Sequence, residues 1–142
     1  METVAERLDR ARNVWLCVAR PEGPPHVTPV WFVFRPRQRD RGGQEEGPRG
    51  PEGVWWIGTG ANSVKARLAE RSPKVSLALE DGEHPLVAEG EARVHHTRFP
   101  DSVREGFLAK YGWDPAIPER PGEPRALLEV RVRRWLLRGQ PA

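Results

Sequence analysis

Residues 75–94 read Val75-Ser76-Leu77-Ala78-Leu79-Glu80-Asp81-Gly82-Glu83-His84-Pro85-Leu86-Val87-Ala88-Glu89-Gly90-Glu91-Ala92-Arg93-Val94, and their period decides the fold. Val75, Leu77 and Leu79 alternate with Ser76, Ala78 and Glu80. Leu86, Ala88, Gly90, Ala92 and Val94 alternate with Val87, Glu89, Glu91 and Arg93. A period of two turns one set of side chains to a core and the other to water, as in antiparallel strands. The turn Asp81 to Pro85 joins them.

The rest of the chain repeats this theme. Toward the C-terminus, Leu128, Val130 and Val132 alternate with Glu129, Arg131 and Arg133 in a strand over 126–137. Before it, Phe99-Pro100-Asp101 opens a helix carrying Val103, Phe107 and Tyr111 at i, i+4 and i+8, and Gly112 stops it. A Pro-rich connector, Pro115 to Pro124, lies between. Toward the N-terminus, Val54 to Thr59 is a strand. Val64 and Leu68 then mark a short helix opened by Asn62 or Ser63 and closed by Ser72-Pro73. Thr3 and Glu6 have capping-box spacing for a helix over 4–12. Asn13 to Arg20 and His26 to Phe34 have strand composition, and Pro29, lacking a ladder donor, belongs at an edge or bulge. Arg35 to Gly53 holds nine charged residues and no large apolar one, the composition of a long, mobile hairpin loop. Six strands with helices in the connections predict a mainly β fold with α additions, a partly open or closed barrel, in a single domain over 1–142.

Composition sets limits. At 142 residues with 37% apolar content, 14 Gly and 15 Pro, the chain has an economical core and many loops. No apolar run approaches the roughly 18–20 residues that cross a bilayer, and Met1-Glu2-Thr3 opens no signal peptide, so a cytoplasmic protein without a membrane partner is expected. The lone Cys17 can form neither an internal disulfide nor a Cys-based zinc site. A charge of +3, from 23 basic against 20 acidic residues, does not demand nucleic acid. Arginine outnumbers lysine heavily, as in a high-GC genome. His95 and His96 are adjacent, so in a strand they face opposite ways and suit one metal poorly; no metal site is expected.

Chemistry concentrates at Ile57-Gly58-Thr59-Gly60-Ala61-Asn62-Ser63-Val64-Lys65-Ala66-Arg67. A strand runs through a glycine turn into a helix whose first residues bring a hydroxyl and an ammonium. Helix N-termini present unpaired N–H groups and partial positive charge, which attract phosphate. Lysine is disfavoured there by the same dipole, and a bound anion would resolve the conflict. The plain alternative is an N-cap Ser63 beside a solvated Lys65. Gly58-x-Gly60-x-x-Ser63 also approximates a dinucleotide fingerprint, but it lacks the third glycine, and one βα unit cannot build a doubly wound sheet. No spacing locates a catalytic acid, base or nucleophile, so catalytic residues stay unassigned.

Four segments taken together, Pro25-His26-Val27-Thr28-Pro29-Val30-Trp31-Phe32, Gly58-Thr59-Gly60-x-x-Ser63-x-Lys65-x-Arg67, Ser72-Pro73-Lys74-Val75-Ser76-Leu77 and Leu86-Val87-Ala88-Glu89-Gly90-Glu91-Ala92, resemble the pyridoxamine-5′-phosphate-oxidase-like superfamily. Within it the chain looks most like the actinobacterial flavin- and deazaflavin-dependent oxidoreductases. The resemblance implies a six-stranded FMN-binding split β-barrel of Greek-key type, forming a homodimer with its cofactor, coenzyme F-420 or FMN, at the subunit interface. It implies that Ser63, Lys65 and Arg67 hold the cofactor phosphate, that Thr59 sits where strand meets turn, and that Thr28, Pro29, Val30 and Trp31 run along the ring system. Exposed Trp or Arg residues near the C-terminus, such as Trp135, are expected to close the groove from the partner subunit. The implied activity is hydride transfer between this cofactor and a small organic acceptor; the alternative is a non-catalytic flavin, haem or tetrapyrrole binding module.

Overall fold

The computed structural model describes residues 2–37 and 51–140. Among these, the chain runs α1 (Val4–Arg10), β1 (Val14–Val18), β2 (His26–Val30), β3 (Val33–Pro36), β4 (Gly53–Gly60), α2 (Val64–Arg71), β5 (Lys74–Leu79), β6 (Leu86–His95), α3 (Asp101–Tyr111) and β7 (Arg125–Arg138). One antiparallel sheet has the order β2-β1-β5-β6-β7-β4-β3. The fold is mainly β with α additions, a strongly curled sheet of split-barrel type, and it has seven strands where six were expected. The run His26 to Phe34 divides at Trp31-Phe32 into β2 and β3, which pair with different neighbours, β1 and β4.

That division explains the curl. β2 and β3 form the two opposite edges of the sheet, yet only Trp31 and Phe32 separate them in the chain. Three trans peptide steps span at most about 11 Å, so the sheet must roll until its edges nearly meet. They do not zip together. Pro29 offers no N–H, and the Phe32 backbone pairs with α3 instead: its N–H donates to the Tyr111 hydroxyl (3.0 Å), and its carbonyl accepts from Lys110 Nζ (3.1 Å). The seam is thus filled by the C-terminal turn of a helix. Pro29 lies on an edge strand, where its missing donor costs no ladder bond.

The barrel interior holds Leu16, Phe32, Trp55, Ile57, Leu77 and Leu128, all fully buried. A smaller cluster, Val33, Val103, Phe107 and Leu127, lies on the outer surface of the sheet under α3. Thr3 caps α1 with both bonds of the capping box, and α1 stops at Arg10, short of the expected 12. In α2 the buried face carries Ala66 and Ala69, with Leu68 packed against the core and Val64 exposed. Small side chains let the helix lie close on the sheet. The ends of the expected loop 35–53 belong to β3 and β4, whose antiparallel pairing makes a hairpin; its residues 38–50 lie outside those described. No helix among the described residues is long and apolar enough to cross a membrane.

Candidate functional site

β4 delivers Thr59 and Gly60 to the mouth of the barrel, and the turn 61–63 starts α2. Ser63 is the N-cap: its Oγ accepts from Ala66 N–H (3.2 Å) and from the buried Thr59 hydroxyl (3.1 Å). Both bonds use the oxygen as acceptor, so the Ser63 proton remains available for an incoming acceptor. The amides of Val64 and Lys65, in the first turn, have no partner within the helix. Lys65 is half-buried, and among the described residues no carboxylate comes within ion-pair distance. Burial, then the nearby positive charge of Arg125, push its pKa below the ordinary lysine value, with Glu119 opposing them. A desolvated ammonium beside a free hydroxyl proton and two free amides can hold an anion with phosphate chemistry. The residues present fit the phosphate-bearing end of F-420 or FMN.

Arg67 stands apart. Two positions along a helix are about 200° around it, and Arg67 is exposed while Lys65 is half-buried. The turn does lie near β2. His26, which opens that strand, has its pKa lowered by burial, by Arg20 and by the charge of Lys65. Along β2 the faces alternate: Thr28 shares the His26 side and is partly buried, Val30 belongs to the barrel core, and Pro29 faces outward, opposite Trp15. Trp31 lies beyond the strand end, 40% exposed, with one face stacked on Tyr111 (4.5 Å, 9°) and an edge toward Trp113. Of the four residues expected along the ring system, Thr28 and Trp31 therefore have reachable side chains on this edge, Pro29 faces the other side, and Val30 is occupied by packing. Trp135 packs on Phe34 and Trp55 of its own chain, and its Nε1–H donates to Pro51 O (2.8 Å). Trp135 is thus partly buried against its own chain.

Sequence reasoning missed Arg125. It opens β7 opposite Gly60 in the β4–β7 register. Its side chain is only 6% exposed, with Nη1 on Glu123 (2.6 Å) and Nε on Pro115 O (2.9 Å). The connector that bears Glu123 is tied down where Ala61 N–H donates to Pro124 O (2.8 Å) and where Asp114 pairs with Arg104 (2.7 Å). An arginine heading an apolar strand, Arg125-Ala126-Leu127-Leu128, was the available signal. His95 and His96 go to separate carboxylates, Glu129 (2.7 Å) and Glu70 (2.5 Å).

The family model for pyridoxamine 5′-phosphate oxidase matches residues 1–139. Among solved structures, the chain is similar to a conserved hypothetical protein of Mycobacterium tuberculosis, with 25% identity over 93% of this chain and 79% of that one and a TM-score of 0.64. It is similar to an F-420 reductase, with 20% identity over 90% and 91% and a TM-score of 0.59. A pyridoxamine 5′-phosphate oxidase-related, FMN-binding protein of Nostoc punctiforme shares 14% identity over 89% and 74%, with a TM-score of 0.53. No curated protein matches the chain in sequence.

Proposed function

Because the chain belongs to the pyridoxamine 5′-phosphate oxidase family, we propose that it is an oxidoreductase that binds F-420 or FMN between the turn after β4 and strand β2. The substrate side of the reaction is a small organic acceptor. The observation that carries this reading is Lys65, a half-buried ammonium without a carboxylate partner among the described residues, seated at a helix N-terminus whose cap still has a proton to give. One structural neighbour is an F-420 reductase and another binds FMN, which supports a cofactor of this class.

When bound, such a ring system supplies the hydride. The protein binds and orients. Ser63, Lys65 and the first amides of α2 take the phosphate, Thr59 holds Ser63 in its accepting rotamer, and Thr28 with Trp31 borders the ring. We assign the partner subunit of a homodimer to the outer face of β1 and β2, where Trp15 and Val27 are 39% and 53% exposed beside Pro29.

The test is a fluorescence titration of the purified protein with F-420 and, separately, FMN. Tight binding of one, followed by turnover with enones or quinones, is expected; binding of neither refutes the reading, and binding without turnover against such acceptors marks a binding module. Lys65→Ala should weaken binding about tenfold or more, the loss of one charge-assisted contact. Arg67→Ala, on the far side of the helix, should cost less than about threefold. Equal effects of the two would contradict the helix geometry.

A further inference from the structure

We propose that Glu123 is a resident stand-in for the anion at this turn, and that Arg125, released when Glu123 gives way, becomes the second cation of the site. The inference rests on the phosphate reading above. A guanidinium buried to this degree needs acceptors for its five N–H groups. Arg125 spends Nε on Pro115 O and Nη1 on Glu123, while Nη2 makes no hydrogen bond among the described residues. Its face lies over the Trp113 ring at 5.6 Å. Arg125 and Lys65 are near enough to feel each other's charge, so two cations converge on one turn.

Two carboxylates answer them. Glu119 acts on Lys65 through space, and Glu123 is paired directly with Arg125. The Glu123 carboxylate also lies against Gly60: a methyl there would meet its carboxyl carbon and Oε1 at 3.6 Å and Oε2 at 3.9 Å. No side chain therefore separates this carboxylate from the backbone of the turn. Both acids come from the connector between Asp114 and Arg125, whose stretch 117–122 is exposed. Glu123 can leave by a change of side-chain rotamer, since the tie between Ala61 and Pro124 is made by backbone atoms.

The exchange has a chemical direction. A phosphate monoester near pH 7 carries more than one negative charge and three strong acceptor oxygens, against one charge on Glu123. Phosphate should displace the carboxylate, whereas a singly charged carboxylate ligand gains little by doing so. The connector thus sets a threshold that admits phosphate esters.

The experiment compares Kd for FMN, and for inorganic phosphate by calorimetry on the cofactor-free protein, in wild type, Glu123→Gln and Lys65→Ala. Glu123→Gln keeps the shape but removes the competing charge. It should bind both about tenfold more tightly, equivalent to about 1.4 kcal/mol, with unchanged circular dichroism. Arg125→Met added to it should cancel the gain; should that double variant fail to fold, Glu123→Gln alone decides. Unchanged or weaker binding by Glu123→Gln, with Lys65→Ala still impaired, overturns the stand-in and leaves the phosphate turn intact. If Lys65→Ala is also unimpaired, both fall.

Discussion

Replacing Lys110 by methionine should change how stability depends on pH, because among the described residues no carboxylate lies at hydrogen-bond distance from this lysine. It stands in the last turn of α3 with Nζ donating to Leu8 O and Phe32 O, each at 3.1 Å, and lying 3.9 Å from the centre of the Phe32 ring. Burial pushes its pKa from 10.5 down to about 8; Asp9 opposes that shift and Arg12 adds to it. The folded chain therefore sheds this proton near pH 8, while the unfolded chain keeps it to about 10.5. Between those values the unfolded state binds more protons, so stability rises with pH through the window, and the burial penalty is fully present only below pH 8. A fully enclosed amine would give about 3 kcal/mol. Lys110 is only partly enclosed, and solvent screening reduces this to about 1–2 kcal/mol, or about 3–6 °C in Tm for a chain of this size. Urea or thermal unfolding of wild type and Lys110→Met at pH 7, 8, 9 and 10 measures it. The gap between the two proteins should shift in favour of wild type by that amount from pH 7 to 10. Subtraction removes Tyr111 and the other lysines, which titrate in both. Parallel curves would refute the argument and mean that the two carbonyls and the ring offset the desolvation of the charge.

Gly58→Ala should destabilise the fold by about 1–3 kcal/mol, because its Cβ would lie 2.5 Å from Pro115 Cβ and 3.0 Å from Trp113 Cη2. Urea unfolding reads the loss, and an unchanged midpoint would show that the connector lifts off β4 freely. Trp15→Arg should turn the proposed dimer into a monomer by light scattering at micromolar concentration, since it places a charge on the exposed apolar face of β1; an unaltered dimer would move the interface elsewhere.

The sheet was legible because alternation is a local property: residues 75–94 form β5 and β6 with the predicted hairpin, and the missing N–H of Pro29 called for an edge or a bulge, of which the fold uses the edge. The break between β2 and β3 was not legible. Val30-Trp31-Phe32-Val33 is continuous strand composition, and what interrupts it is Tyr111, 79 residues away, taking the Phe32 N–H. Which face of α2 is buried was not legible for a related reason. Val64 and Leu68 are the larger apolar residues, but a helix lying close on a sheet buries alanine, and that closeness is tertiary.

The candidate site divides along the same line. Lys65 stood out because a cation opposes the helix dipole within its own turn, a conflict written in five consecutive residues. Its counter-charges did not, because they arrive by register: Gly60 pairs with Arg125 across the β4–β7 ladder, and Glu123 lies two residues before Arg125 on a connector that reads only as proline-rich. Gly60 lies against that carboxylate, at a distance where an added methyl would make ordinary van der Waals contact with it. The proposed anion-holding half of this site is therefore local in sequence, while the Arg125–Glu123 pair reaches it only through the β4–β7 register.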